Sequence, residues 1–124
     1  MKLRLHILYD FIDHFIICES KYDHQGKKKK INFNKNKYPK FKNKITHVIL
    51  EKFPKGLNPW ERQALQREEI LKGLKKSKDN DLILFSDPDE IPNPKKLKSI
   101  KIKKKYLIFL QDLFYYKLNL KDYK

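Results

Sequence analysis

Three carboxylates fall within four positions at Asp87-Pro88-Asp89-Glu90, just after the apolar run Leu82-Ile83-Leu84-Phe85 and before Ile91-Pro92. A hard divalent cation carrying a phosphate-bearing substrate takes oxygen ligands, and a few carboxylates suffice to hold it. An Asp-x-Asp pair on extended backbone projects two such oxygens to one side. Pro88 between them removes backbone freedom and should fix that geometry. A short, wholly apolar run reads as a strand buried on both faces. The acids would then lie at its carboxyl end, where ligands gather in open α/β sheets. Asp, Pro and Asn are also ordinary loop residues, so a helix-capping loop is the alternative at this level.

The elements that must position these acids are legible along the chain. Leu5, Leu8, Phe11 and Ile12 share a helical spacing over residues 2–13. Phe15-Ile16-Ile17-Cys18 is a short buried strand ending in the polar pair Glu19-Ser20. Residues 21–44 read as a long basic loop broken at Gly26 and Pro39, with Phe33, Tyr38 and Phe41 pinning it to the surface. Ile45 to Leu50 is rich in β-branched residues and makes the next strand. His47 in its middle reads as a packed or edge residue rather than a catalytic base. Asn58-Pro59-Trp60-Glu61 has the cap, proline and acid of a helix start. That helix should run to about Leu74, with Trp60, Ala64, Arg67, Leu71 and Leu74 on one face. Asp79-Asn80-Asp81 turns into the acidic strand, and Asn93-Pro94 starts a short helix. Tyr106 to Leu110 and Leu113 to Tyr116 read as further strands. Alternating strands and helices imply a mostly parallel, three-layer α/β sheet.

Composition narrows the class. The 124 residues suffice for one domain with one core, and 40% are hydrophobic. No apolar run is long enough for a membrane span, and no secretory segment opens the chain, so a cytoplasmic location is expected. Cys18 alone excludes an internal disulfide. The net charge of +15 invites a nucleic-acid reading. Only Arg4, Arg62 and Arg67 among the 30 basic residues are arginine, however, and bidentate recognition of guanine or phosphate is mostly arginine work. The lysines come in short runs such as Lys27–Lys30 and read as a solvated face, so no specific nucleic acid is expected. With three glycines in the chain, no glycine-rich phosphate loop can be placed.

Several segments resemble a known family in collinear order. They are Arg4-Leu5-His6-Ile7-Leu8-Tyr9-Asp10, Phe15-Ile16-Ile17-Cys18-Glu19-Ser20, Gly26-Lys27, Asn58-Pro59-Trp60-Glu61, Gln66-Arg67, Ile83 through Pro92, and Phe114-Tyr115-Tyr116-Lys117-Leu118-Asn119. Together they resemble glycosyltransferase family 17. The resemblance implies a single domain over residues 1–124 with a GT-A-like three-layer α/β/α fold and a mostly parallel, Rossmann-like sheet. It implies an N-acetylglucosaminyltransferase-like activity that moves a sugar from a UDP-sugar, UDP-GlcNAc by resemblance, to a glycan acceptor with inversion. It also implies a divalent metal, manganese or alternatively magnesium, that holds the donor diphosphate. Carried over residue by residue, Asp87 and Asp89 would bind the metal. Asp89 would be the direct ligand, and Asp87 would face the ribose or a metal-bound water. Glu90 would join the donor site in the same acidic cluster, Glu19 would lie near the uridine, and Arg67 would help hold the acids or the diphosphate.

The departures from the family set further expectations. Its members carry a strand before the first helix and continue beyond the aromatic segment. This chain therefore reads as truncated at both ends. No catalytic base is assigned; Glu61 and Asp112 are available carboxylates. An inactive remnant of such an enzyme is the alternative, and a basic nucleic-acid-binding module a further one. The animal members are Golgi membrane proteins, whose anchor lies outside the matched region.

Overall fold

Two short strands pair in parallel: β1 (Phe15–Ser20) and β2 (Ile45–Leu50), in register from Phe15 opposite Ile45 to Ser20 opposite Leu50. Both are the apolar, β-branched runs that suit a half-buried pleated surface. The computed structural model describes residues 1–101 and 105–112, and the chain divides into two compact units, Met1–Phe85 and Ser86–Lys124.

In the first unit, α1 (Lys2–Leu8) precedes the sheet and buries Leu5 and Leu8 completely. The expected helix through residue 13 stops earlier, and the N–H groups of Phe11 and Ile12 both reach the Leu8 carbonyl. Lys44 explains part of that ending. Its ammonium donates to the carbonyls of Tyr9 (2.9 Å) and Ile12 (3.0 Å), a cation at a helix C-terminus.

The segment joining the strands is more ordered than its composition suggests. A tight turn closes at Asp23–Lys27, with Gly26 at φ +86, and Tyr22 bridges Lys28 antiparallel. Two 3-10 segments follow, Lys35–Lys37 and Pro39–Lys44. Phe41 is buried in the core, edge-on to His6 and Tyr9. Phe33 stacks on Tyr38. These are the three aromatics expected to pin the loop.

α2 (Pro59–Glu68) starts with a full capping box: the Asn58 side chain accepts from the Trp60 and Glu61 N–H groups, and Glu61 accepts the Asn58 N–H in return. The chain then tightens into a 3-10 segment, Glu69–Leu74, instead of continuing as one α-helix. That segment packs on both strands so closely that a Cβ on Gly73 would lie 2.4 Å from Ile16 Cγ2. The expected stripe does not face the core: Trp60 (79% exposed), Ala64, Arg67 and Leu71 (64%) are all exposed, and only Leu74 is half-buried.

Leu82–Phe85 corrects the sequence reading. It forms no strand, and Leu82, Ile83 and Phe85 are exposed. Apolarity marks a segment that gains from burial, but a strand forms only where a neighbouring ladder takes up its N–H and C=O groups. Among the described residues the sheet has two strands, β1 and β2. The expected turn before this run is present, with Asp81 N–H on the Lys78 carbonyl and Lys78 N–H on the Asp81 carboxylate.

In the second unit, α3 (Pro94–Ser99) is capped by Asn93, whose side chain accepts the Lys95 N–H at 3.0 Å. Tyr106–Leu110 likewise forms no strand, and Tyr106, Ile108 and Leu110 are exposed. The strand expected at Leu113–Tyr116 lies outside the described residues. What stands is a small α/β architecture built on a parallel strand pair.

Candidate functional site

Glu19 closes β1 and gathers the following loop around its carboxylate. Oε1 accepts from Lys29 Nζ (3.0 Å) and the Asn32 N–H (2.8 Å), while Oε2 accepts the Phe33 N–H (2.9 Å). Strand alternation puts Glu19 on the same face as Ile17, and Ile17 is opposite His47 in the register. His47 Nε2 consequently sits 3.9 Å from Glu19 Oε2, with both side chains largely buried. Burial alone would raise the Glu19 carboxyl; the Asn32 and Phe33 amides and the Lys29 ammonium outweigh it, so Glu19 titrates below the usual range and is ionised at neutral pH. Burial pushes His47 the other way, below the ordinary histidine value, against the pull of Glu19. Phe33 meets the His47 ring edge-on at 5.0 Å. His47 is the packed residue its strand position suggested.

The turn at Asp23–Lys27 docks on α2. Arg62 Nη1 donates to the His24 carbonyl at 3.0 Å, and His24 Nε2 meets Gln66 Oε1 at 3.3 Å. A Cβ on Gly26 would come within 3.1 Å of the Arg62 guanidinium. In the sequence Arg62 stands only as one of three arginines. Its signal was the spacing to Gln66, which places both on one helical face. Arg67, the cation singled out, is exposed near the end of α2. At Cys18, burial first, then the neighbouring Glu69, pushes the thiol up to about 11, which disfavours the thiolate.

The acidic segment belongs to the second unit and forms a turn. Glu90 N–H donates to the Asp87 carbonyl (3.1 Å), and Glu90 Oε2 accepts the Asp87 N–H (3.0 Å). Pro88 and Asp89 occupy the two corners, where proline's fixed φ suits the first. The extended Asp-x-Asp geometry expected from the sequence is therefore replaced by a reverse turn. The turn brings Asp87 and Glu90 together, and all four residues, Asp89 among them, are exposed. Asp89 lines an open cleft of about 360 Å³ with Asn93, Lys96 and Asp112, and with Ile91 and Phe109 beside them. Asp112, one of the two carboxylates left without a role, thus shares a cleft with Asp89. Glu19 and Arg67 lie in the first unit, Asp87, Asp89 and Glu90 in the second.

Among the described residues, no three His, Cys, Asp or Glu side chains converge as a metal cage. A cation that arrives with a diphosphate does not require one, because one or two carboxylates plus phosphate oxygens and water complete its shell. The exposed Asp89 and the neighbouring Asp112 fit that lighter requirement. No helix among the described residues is long and apolar enough to cross a membrane.

Comparison with known proteins now places the chain in a class. The family model for glycosyltransferase family 17 matches residues 1–123. The chain belongs to glycosyltransferase family 17. It is 25% identical over 103 residues to the human beta-1,4-mannosyl-glycoprotein 4-beta-N-acetylglucosaminyltransferase and equally to the rat protein of that name, and 24% identical to the mouse one. Each of these alignments covers 74% of this chain but 19% of the relative, so the chain spans about a fifth of their length. No solved structure matches it.

Proposed function

We propose that this chain is the nucleotide-sugar-binding part of a metal-dependent, N-acetylglucosaminyltransferase-like enzyme with a GT-A-like fold. The donor would be a UDP-sugar, UDP-GlcNAc by similarity to the relatives, the acceptor a glycan, and the transfer inverting. The observation that carries this reading is the acidic turn Asp87–Glu90, which leaves Asp89 exposed in a cleft with a second carboxylate and a cation. It sits inside a family match that runs over nearly the whole chain.

Asp89 would hold a manganese or magnesium ion in the cleft it shares with Asp112, with Asp87 as the second ligand by family resemblance alone. Such an ion neutralises the charge that builds on a departing nucleoside diphosphate. The chain's own residues supply the rest. Glu90 is committed to the Asp87 N–H and keeps the turn closed, so its role is to set the Asp87–Asp89 spacing on the donor side. Lys96 places an ammonium in the same cleft, a point charge suited to phosphate. By family resemblance alone, Glu19 would lie near the uridine and Arg67 would help hold the acids or the diphosphate. No residue is assigned as the base.

The exposure of Leu82, Ile83 and Phe85 favours a second reading, an inactive remnant that keeps the family's segments but leaves an apolar run of the first unit unburied. Calorimetric titration of UDP into the protein separates the two. The transferase reading expects binding that requires Mn²⁺ and is lost in Asp89→Ala. Absence of any manganese-dependent UDP binding to the folded protein supports the remnant.

A further inference from the structure

His47 Nε2 is fully buried and has no hydrogen-bond partner. A nitrogen in that position is unusual, because buried polar groups are nearly always satisfied. Among the described residues its charged neighbour is Glu19, whose Oε2 lies 3.9 Å away and already accepts the Phe33 N–H. Phe33 in turn covers the imidazole edge-on. Lys29, on the same face, is bound to the other Glu19 oxygen. The pair Glu69–Lys72 belongs to the 3-10 segment that packs against Ile16, on the opposite face of β1. His47, Glu19 and Phe33 thus form a closed triangle in which one carboxylate oxygen serves the loop and faces the ring.

We propose that His47 is an acid-operated release for the loop segment Lys29–Phe33. A proton on Nε2 puts a second charge into the triangle. It draws Glu19 Oε2 away from the Phe33 amide, or it lifts Phe33 off the ring so that water reaches the imidazolium. Either movement unfastens the segment from the end of β1. Linkage gives the direction. Burial holds the native His47 below its ordinary value, so the proton is bound more tightly when the segment is open, and falling pH populates the open form. The preference is roughly tenfold for each pH unit that separates the open and closed midpoints. The switch is built from this chain's own residues and needs no ligand.

Amide hydrogen exchange followed by NMR on the whole chain, corrected for intrinsic rates, tests this between about pH 7.5 and pH 5, a range that brackets the ordinary histidine value. Protection of the Asn32 and Phe33 amides should fall at the acid end while the β1–β2 ladder amides hold. In His47→Gln that fall should vanish. Should the variant not fold, the wild-type His47 ring resonances provide the second readout, and their midpoint should coincide with that of the Phe33 amide shift. Unchanged or increased protection at acid pH overturns the proposal, as does the same loss in His47→Gln or a Phe33 midpoint that tracks another histidine.

Discussion

Glu19 shows how one side chain can define a surface. Its two oxygens take one ammonium and two backbone N–H groups from a segment ten to fourteen residues downstream. Hydrogen bonds to a charged partner contribute about 1.5–3 kcal/mol each when buried. Glu19→Gln should therefore destabilise the protein by roughly that amount at neutral pH, measured by urea unfolding. The pH dependence has a definite sign. A carboxyl whose native value lies below its unfolded one contributes fully above the ordinary carboxylate range and loses that contribution as pH falls through the native value. The gap between wild type and Glu19→Gln should accordingly be widest near neutrality and close in acid. A gap that stayed constant with pH would assign the loss to packing. The sequence marked Glu19 as a polar residue at a strand end, which is a position. Its partners come from a loop, and no local pattern announces which amides will turn inward.

At the scale of elements, what was legible was local. Asn58, Pro59 and Glu61 set the start of α2, and Asn93 with Pro94 the start of α3, because a cap is made within a few neighbouring residues. Asn58→Ala should cost about 1 kcal/mol of stability and fray the first turn of α2, visible as loss of helical circular dichroism at lower denaturant. What was not legible was pairing. Leu82–Phe85 and Tyr106–Leu110 are as apolar as β1, yet only β1 and β2 form a ladder among the described residues. The close approach at Gly73 was equally hidden, since nothing in the sequence says that Ile16 lies against it. Gly73→Ala should destabilise by about 1–3 kcal/mol through overpacking. Adding Ile16→Ala should recover part of that loss, because the two positions share one space. A double variant that lost the plain sum of the two would show that they are not in contact.

Across the whole molecule, family membership ties the segments together where the pairing of strands does not. The residues that matched the family include Gly26, which lies against α2 beside Arg62, and Gln66, which meets His24. The Gly26 turn is left-handed, and only glycine adopts φ +86 there without strain. Gly26→Ala should loosen the docked turn and raise its proteolytic sensitivity while leaving the β1–β2 ladder in place. The central claim concerns the other unit: that the Pro88-cornered turn receives a metal ion with its nucleotide. The direct measurement is paramagnetic broadening of backbone NMR signals by substoichiometric Mn²⁺ in the presence of UDP. Signals of residues 86–93 and of Asp112 should be lost first, ahead of those of Asp79–Asp81, and in Asp89→Ala they should persist. Broadening spread evenly over the carboxylates, or unchanged by Asp89→Ala, would contradict a metal site at this turn.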